Sequence, residues 1–309
     1  MESGKRTHAQ NPRVKMDLRR WIQTLAVFLS NANWRFPFTR NLYKGDLKAV
    51  CAPGLNCYSC PAATSACPLG AVQTFMATAR PNFEAGRFHL GLYVIGMLGL
   101  IGSLVGRMPC AWLCPFGLMQ ELIHKIPSPK FEIPRFLTYF KYMFLALFVV
   151  ILPLAVADEF GYGMTWFCKY VCPAGTLEAG LPMMLLKPEV QEVIGWLFYS
   201  KVIILIGFLV WMVLSRRPFC RVACPLGAIY SFFNRYSVFR LTYDLERCTH
   251  CQSCYHGCPM GVKFYEGSNQ KDCIRCLKCL QQSCKFGAIS YEVAGQRTTP
   301  VPLKVKSGP

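Results

Sequence analysis

Residues 248–259 read CTHCQSCYHGCP, and residues 273–284 read CIRCLKCLQQSC. In the first run two residues separate Cys248, Cys251 and Cys254, and Cys258-Pro259 follows after three more. This is the spacing of a bacterial two-cluster ferredoxin. Two-residue gaps let three thiolates of one loop meet three corners of a cubane, while the fourth cysteine reaches the other cluster. The sequence therefore predicts one [4Fe–4S] cluster on Cys248, Cys251, Cys254 and Cys284. It predicts a second on Cys273, Cys276, Cys279 and Cys258. The second run departs from the pattern, with four residues before Cys284 and Lys285 where proline is usual. Zinc needs an isolated tetrahedral set, which two interlocking runs do not offer. Residues 240–293 are thus expected to form a soluble α+β ferredoxin-like domain. The tail 294–309, rich in Pro, Thr and Lys, is expected to be disordered.

Ten more cysteines precede this domain, of eighteen in 309 residues. Six of them form three copies of C-x3-C-P: Cys110/Cys114, Cys168/Cys172 and Cys220/Cys224, each with a glycine two residues after the proline. A spacing of four places both thiols on one face of a helical turn. Proline is then expected to break the helix and free the glycine turn to wrap a cluster. The Cys110/Cys114 and Cys220/Cys224 units together offer the four thiolates of a third cubane. Cys51, Cys57, Cys60 and Cys67 supply a further four, and Cys67-Pro-Leu-Gly-Ala echoes Cys224-Pro-Leu-Gly-Ala. Two groupings stay open. The four loop cysteines bind a cluster alone, or Cys57 and Cys60 share one with Cys168 and Cys172. Disulfide frameworks belong to short secreted chains, and the short gaps suit metal centres better.

Hydrophobic residues make up 53% of the chain and charged residues only 16%, which excludes a disordered or purely solvated protein. The apolar residues gather in four blocks: Trp21–Trp34, Phe88–Gly106, Phe136–Ala157 and Ile194–Ser215. The first covers only about 21 Å of a core of ~30 Å. The expected fold class is mainly α: a four-helix transmembrane bundle over residues 21–235 behind a basic N-terminus, 1–20. Arg107, Lys125, Lys130, Arg135, Arg216, Arg217, Arg221, Arg235 and Arg240 share one side, which the positive-inside rule makes cytoplasmic, together with the ferredoxin domain. The net charge of +18 is explained by this orientation and by neutralising anionic clusters, without nucleic acid. Lys141 and Lys201 within the blocks read as snorkelling side chains. His89, at the mouth of the second block, is the candidate for a quinone site. No phosphate loop, flavin fingerprint, haem motif or independent catalytic residue is visible.

Four apolar blocks, repeated C-x3-C-P units and a terminal two-cluster ferredoxin resemble the NapH-type membrane polyferredoxins. They also resemble the membrane module of the NosR-type proteins. The resemblance covers roughly residues 85–290, and the stretch PGLNCYSCP (residues 53–61) matches a subset of such proteins. It implies a quinol dehydrogenase or oxidoreductase subunit of the inner membrane in anaerobic respiration. Such a subunit passes electrons between a quinone pool or membrane partner and a redox partner protein, through at least two and up to four [4Fe–4S] clusters. A membrane redox sensor and a metal-centre assembly factor are the alternative readings.

Overall fold

The computed structural model describes residues 18–39, 41–86, 89–192, 194–267, 269–284 and 286–297. Most of the basic segment 1–20 and of the tail 294–309 lies outside the described residues. The architecture is mainly helical. Helix α1 (Leu18–Ser30) leads into a long first loop that ends at Cys67. Then come α2 (Pro68–Ala77), α3 (His89–Val105), α4 (Pro115–Ile123), α5 (Arg135–Ala155), α6 (Trp196–Leu214) and α7 (Pro225–Phe233). The chain closes with an antiparallel sheet of β1 (Phe239–Tyr243), β2 (Ile289–Val293) and β3 (Gln296–Arg297). Phe239 lies opposite Val293 and Tyr243 opposite Ile289, so β1 and β2 clasp the two ends of the segment that carries the eight ferredoxin cysteines.

Among the described residues two helices are long and apolar enough to cross a bilayer: α5, 21 residues, and α6, 19 residues. Helix α3 has 17 residues and α1 only 13, about 25 and 20 Å at 1.5 Å per residue. By length, then, two of the four expected spans are found. The middle of α5 is a π-helical stretch, Leu145–Ile151, ahead of Pro153.

Helix α1 is amphipathic in the inverted sense. Arg19 and Gln23 are buried, while Trp21, Leu25, Phe28 and Leu29 are exposed. Arg19 donates to Ala111 O (2.9 Å) and pairs with Glu121. Gln23 donates to Cys114 O at 2.8 Å. At its other end Ser30 O accepts the Thr64 N–H at 3.0 Å. Helix α1 therefore ties the Cys110/Cys114 unit to the first loop. Helices α3, α5 and α6 also present large apolar side chains outward, among them Leu92, Leu100, Met143, Ile151, Ile203 and Val210.

The C-x3-C-P units do not form the expected single turn. Helix Pro109–Trp112 ends before Cys114, and Cys114 is extended (φ −77°, ψ 117°) as the N-cap of α4. Cys67, Cys172 and Cys224 cap their helices in the same way. The proline therefore starts a helix instead of stopping one. It lacks the N–H that a first helical position leaves unpaired, and its φ is preset for the helix. The glycine two residues later donates its N–H to the capping sulfur at 3.4 Å in three of the units.

Candidate metal centres

The fold gathers the cysteines around four cavities. Site 4 is lined by Cys248, Cys251, Cys254 and Cys284. Site 3 is lined by Cys258, Cys273, Cys276 and Cys279, with Cys254 at the wall shared with site 4. Site 2 is lined by Cys110, Cys114, Cys220 and Cys224. The empty space in these three is nearly equal, about 380, 370 and 320 Å³. Similar cavities, each walled by at least four thiols, argue for one kind of occupant. Site 1 is lined by Cys51, Cys57, Cys67, Cys168 and Cys172 and is several times larger, about 1560 Å³. Cys60 is buried, its sulfur 4.0 Å from Asn31 Oδ1, and does not line that cavity. His89 begins α3, and its side chain lies outside the described residues. Tyr93, one turn later on the same face, does line site 1.

All eighteen cysteines are free thiols, and among the described residues no three Cys, His, Asp or Glu converge on a single-ion position. A zinc ion would draw its thiolates in to about 2.3 Å; a cubane spreads them over four iron corners. In both ferredoxin runs the residues flanking the middle cysteine are left-handed and none is glycine: His250 and Gln252 (φ 50° and 58°), then Arg275 and Leu277 (φ 49° and 59°). Such strained positions collect at functional sites. Alternating handedness also turns successive N–H groups into a concave anion nest. The His250 and Val262 N–H groups point at Cys248 Sγ and Cys258 Sγ, 3.4 Å each. Burial pushes the thiols of Cys57, Cys168 and Cys273 up to about 12 and that of Cys51 to about 11. As free groups they are protonated at neutral pH, so metal entry must displace those protons. The donor sets fit iron–sulfur clusters.

Site 2 is built symmetrically. Arg107 and Arg217 each stand three residues before the first cysteine of a unit, and each reaches across. Arg107 donates to Cys220 O at 2.7 Å and Arg217 to Cys110 O at 2.9 Å. A Cβ on Gly227 would stand 2.7 Å from Arg107 Nη2, so a larger residue there would displace the guanidinium. Both guanidiniums are almost fully buried. Arg217 shares Glu121 with Arg19, and Arg107 shares Asp272 with Lys141. Burial alone would raise the Glu121 carboxyl, but Arg217 and Arg19 hold it down to about 2. Each group has two cations and one carboxylate, leaving a positive charge beside the thiolates. At site 1 the matching carbonyls, Ala63 O and Cys168 O, accept instead from Lys48 (2.9 Å) and Lys201 (3.2 Å). Glu178 there accepts the Cys57 N–H at 2.7 Å, and burial pushes its carboxyl up to about 7.

The sites adjoin one another. Leu55 lines both site 1 and site 2. The loop that carries it passes so close that a Cβ on Gly54 would lie 2.7 Å from Cys114 Cα. Between site 2 and the ferredoxin segment, Trp112 Nε1 donates to Arg275 O (3.1 Å) and Arg107 pairs with Asp272 (3.1 Å). Buried Asn234 donates to Gln270 O, Lys271 O and Cys273 O and accepts the Arg107 N–H. In the sequence Arg107 and Arg217 read as orienting charges, not as site groups, and neither Asn234 nor Leu55 is singled out. Only the arginines left a trace there, as R-x2-C-x3-C-P in two of the three units.

Residues 88–134 and 141–181 match the 4Fe-4S binding domain, and residues 218–262 match the 4Fe-4S dicluster domain. The uncharacterised protein MJ0750 of Methanocaldococcus jannaschii is 32% identical over 74% of this chain and 87% of its own length. The chain belongs to the family of MJ0750. The regulatory protein NosR of Stutzerimonas stutzeri is 28% identical over 55% of the chain, which covers 22% of NosR. The methylamine utilization ferredoxin-type protein MauN of Paracoccus denitrificans is 27% identical over 53% of the chain and 52% of MauN. No solved structure matches the chain. The two matched 4Fe-4S domains and the ferredoxin-type relatives make this chain an iron–sulfur electron-transfer protein.

Proposed function

We propose that the chain is a membrane-embedded conduit with four [4Fe–4S] sites, joining a quinone pool or membrane partner to a redox partner protein. Cys248, Cys251, Cys254 and Cys284 hold site 4, and Cys258, Cys273, Cys276 and Cys279 hold site 3. Cys110, Cys114, Cys220 and Cys224 hold site 2, and Cys57, Cys67, Cys168 and Cys172 hold site 1, with Cys51 a fifth thiol at its wall. Each cluster, when bound, supplies a one-electron carrier. The observation that carries this reading is continuity: Leu55 is common to sites 1 and 2, Arg107 joins site 2 to the ferredoxin segment, and Cys254 is common to sites 3 and 4. A bilayer core of ~30 Å is too thick for one efficient transfer, so a conduit needs such neighbours.

The chain's own residues shape each site. Phe116, Phe219 and Leu226 keep site 2 dry, and the paired guanidiniums offset thiolate charge there. Site 1 has room beyond one cluster, which suits a quinone or partner group entering beside Tyr93, on the helix that His89 begins. The outward apolar faces of α1, α3, α5 and α6 support four helices in lipid, with α1 and α3 completed by flanking residues. The basic flanks favour a cytoplasmic side for sites 2, 3 and 4, with site 1 towards the other face. The test is the double substitution Cys110→Ser with Cys220→Ser. It removes about four iron atoms, one cubane's worth, and leaves the ferredoxin EPR signals intact. Unchanged iron content would show that this cavity is not a cluster site.

A further inference from the structure

Two glutamines occupy the same place in two of the repeated units. Gln73 lies six residues after Cys67 and Gln120 six after Cys114, so both units read C-P-x-G-x-x-Q. Both side chains are 0% exposed. Gln73 Nε2 lies 3.0 Å from Cys168 Sγ, and Gln120 Nε2 lies 3.0 Å from Cys220 Sγ. In each case the sulfur belongs to the first cysteine of the opposite unit.

The amide orientations follow from their other partners. Gln73 Oε1 accepts the N–H groups of Phe167 (3.0 Å) and Cys168 (3.4 Å), so its NH2 must face the sulfur. Gln120 Nε2 also donates to Phe116 O (3.3 Å); the reversed amide would set oxygen against oxygen. Gln120 Oε1 meets no partner among the described residues. A buried amide left half unsatisfied is a poor choice for packing alone. The corresponding positions of the other two units are Glu178 and Tyr230, which bond to Cys57 N and Pro53 O, first-loop backbone and not sulfur. A polar anchor at this position therefore does not have to touch a thiol.

Resting on the cluster reading above, we propose that Gln73 and Gln120 set the reduction potentials of sites 1 and 2 through N–H···S hydrogen bonds to Cys168 and Cys220. An N–H donor binds a more negative sulfur more strongly. It thus favours the reduced state and raises the potential. The glutamines are positioning residues that act through a ligand sulfur.

The test uses the full chain in detergent, with mediated potentiometric titration followed by EPR and with iron counted on the same samples. Gln120→Leu shifts one membrane-domain midpoint downward, by about tenfold in the one-electron equilibrium, or about 59 mV. Gln73→Leu shifts a different midpoint, and the ferredoxin signals stay in place in both. Gln→Met keeps the length and removes the donor, so it lowers the same midpoint and serves where a leucine variant loses iron. An unchanged midpoint in a variant that keeps its iron overturns the proposal. A wild-type chain with iron in the ferredoxin segment alone overturns the site reading itself.

Discussion

Glu121 is the residue on which the inner end of α1 depends. Its carboxylate is shared by two buried arginines, Arg19 of α1 and Arg217 beside site 2. Removing one partner of a buried ion pair leaves the other charge uncompensated, at about 3–5 kcal/mol. Glu121→Gln is therefore expected to destabilise the protein by about 4 kcal/mol and to shorten iron retention on heating, both measurable by thermal unfolding with iron release. The pH sign follows from its depressed value. Its stabilisation is complete above the ordinary carboxyl value of 4.5 and fades as pH falls through about 2. Wild type should thus hold α1 in place at pH 5. A variant as stable as wild type would show that the Arg19–Glu121–Arg217 group is incidental. At this scale the thiols were legible, because their spacing is itself the chemistry. The contacts of Arg107, Arg217, Gln73 and Gln120 were not, since each acts on a unit more than ninety residues away.

Among the elements, α1 shows how far periodicity alone can carry. Its apolar content read as a short span, but its order is Arg19 and Gln23 inward against Trp21, Leu25 and Phe28 outward. Buried polar groups are tolerable here because Ala111 O, Cys114 O and Glu121 satisfy them. The same chain of contacts has site 2 at one end of α1 and the first loop at the other. The proposed topology has α1 crossing, and it predicts that cysteine-free reporter fusions at residue 20 and at the C-terminus report the same side. Opposite sides would mean that α1 lies along the surface. The proline of C-x3-C-P was misjudged for a local reason. After an extended N-cap, proline begins a helix, and only the backbone of Cys114 and its equivalents reveals that the preceding turn has already ended.

For the whole molecule, the ferredoxin spacing is legible in the sequence, and the fold brings Cys248, Cys251, Cys254 and Cys284 to one cavity and Cys258, Cys273, Cys276 and Cys279, beside Cys254, to the next. The interleaving of the membrane domain is not legible. Which C-x3-C-P unit faces which depends on helix packing, and the first loop joins Cys168 and Cys172 only after folding back from α1. The central claim is that four neighbouring thiol cavities hold four clusters in series. Iron and acid-labile sulfide counted on anaerobically purified full-length protein, with EPR on the same sample, tests it most directly. The account predicts about sixteen iron and sixteen sulfide per chain, four of each for every cubane, with magnetically coupled signals between neighbouring sites. About eight iron, with only the paired ferredoxin signals, would contradict it.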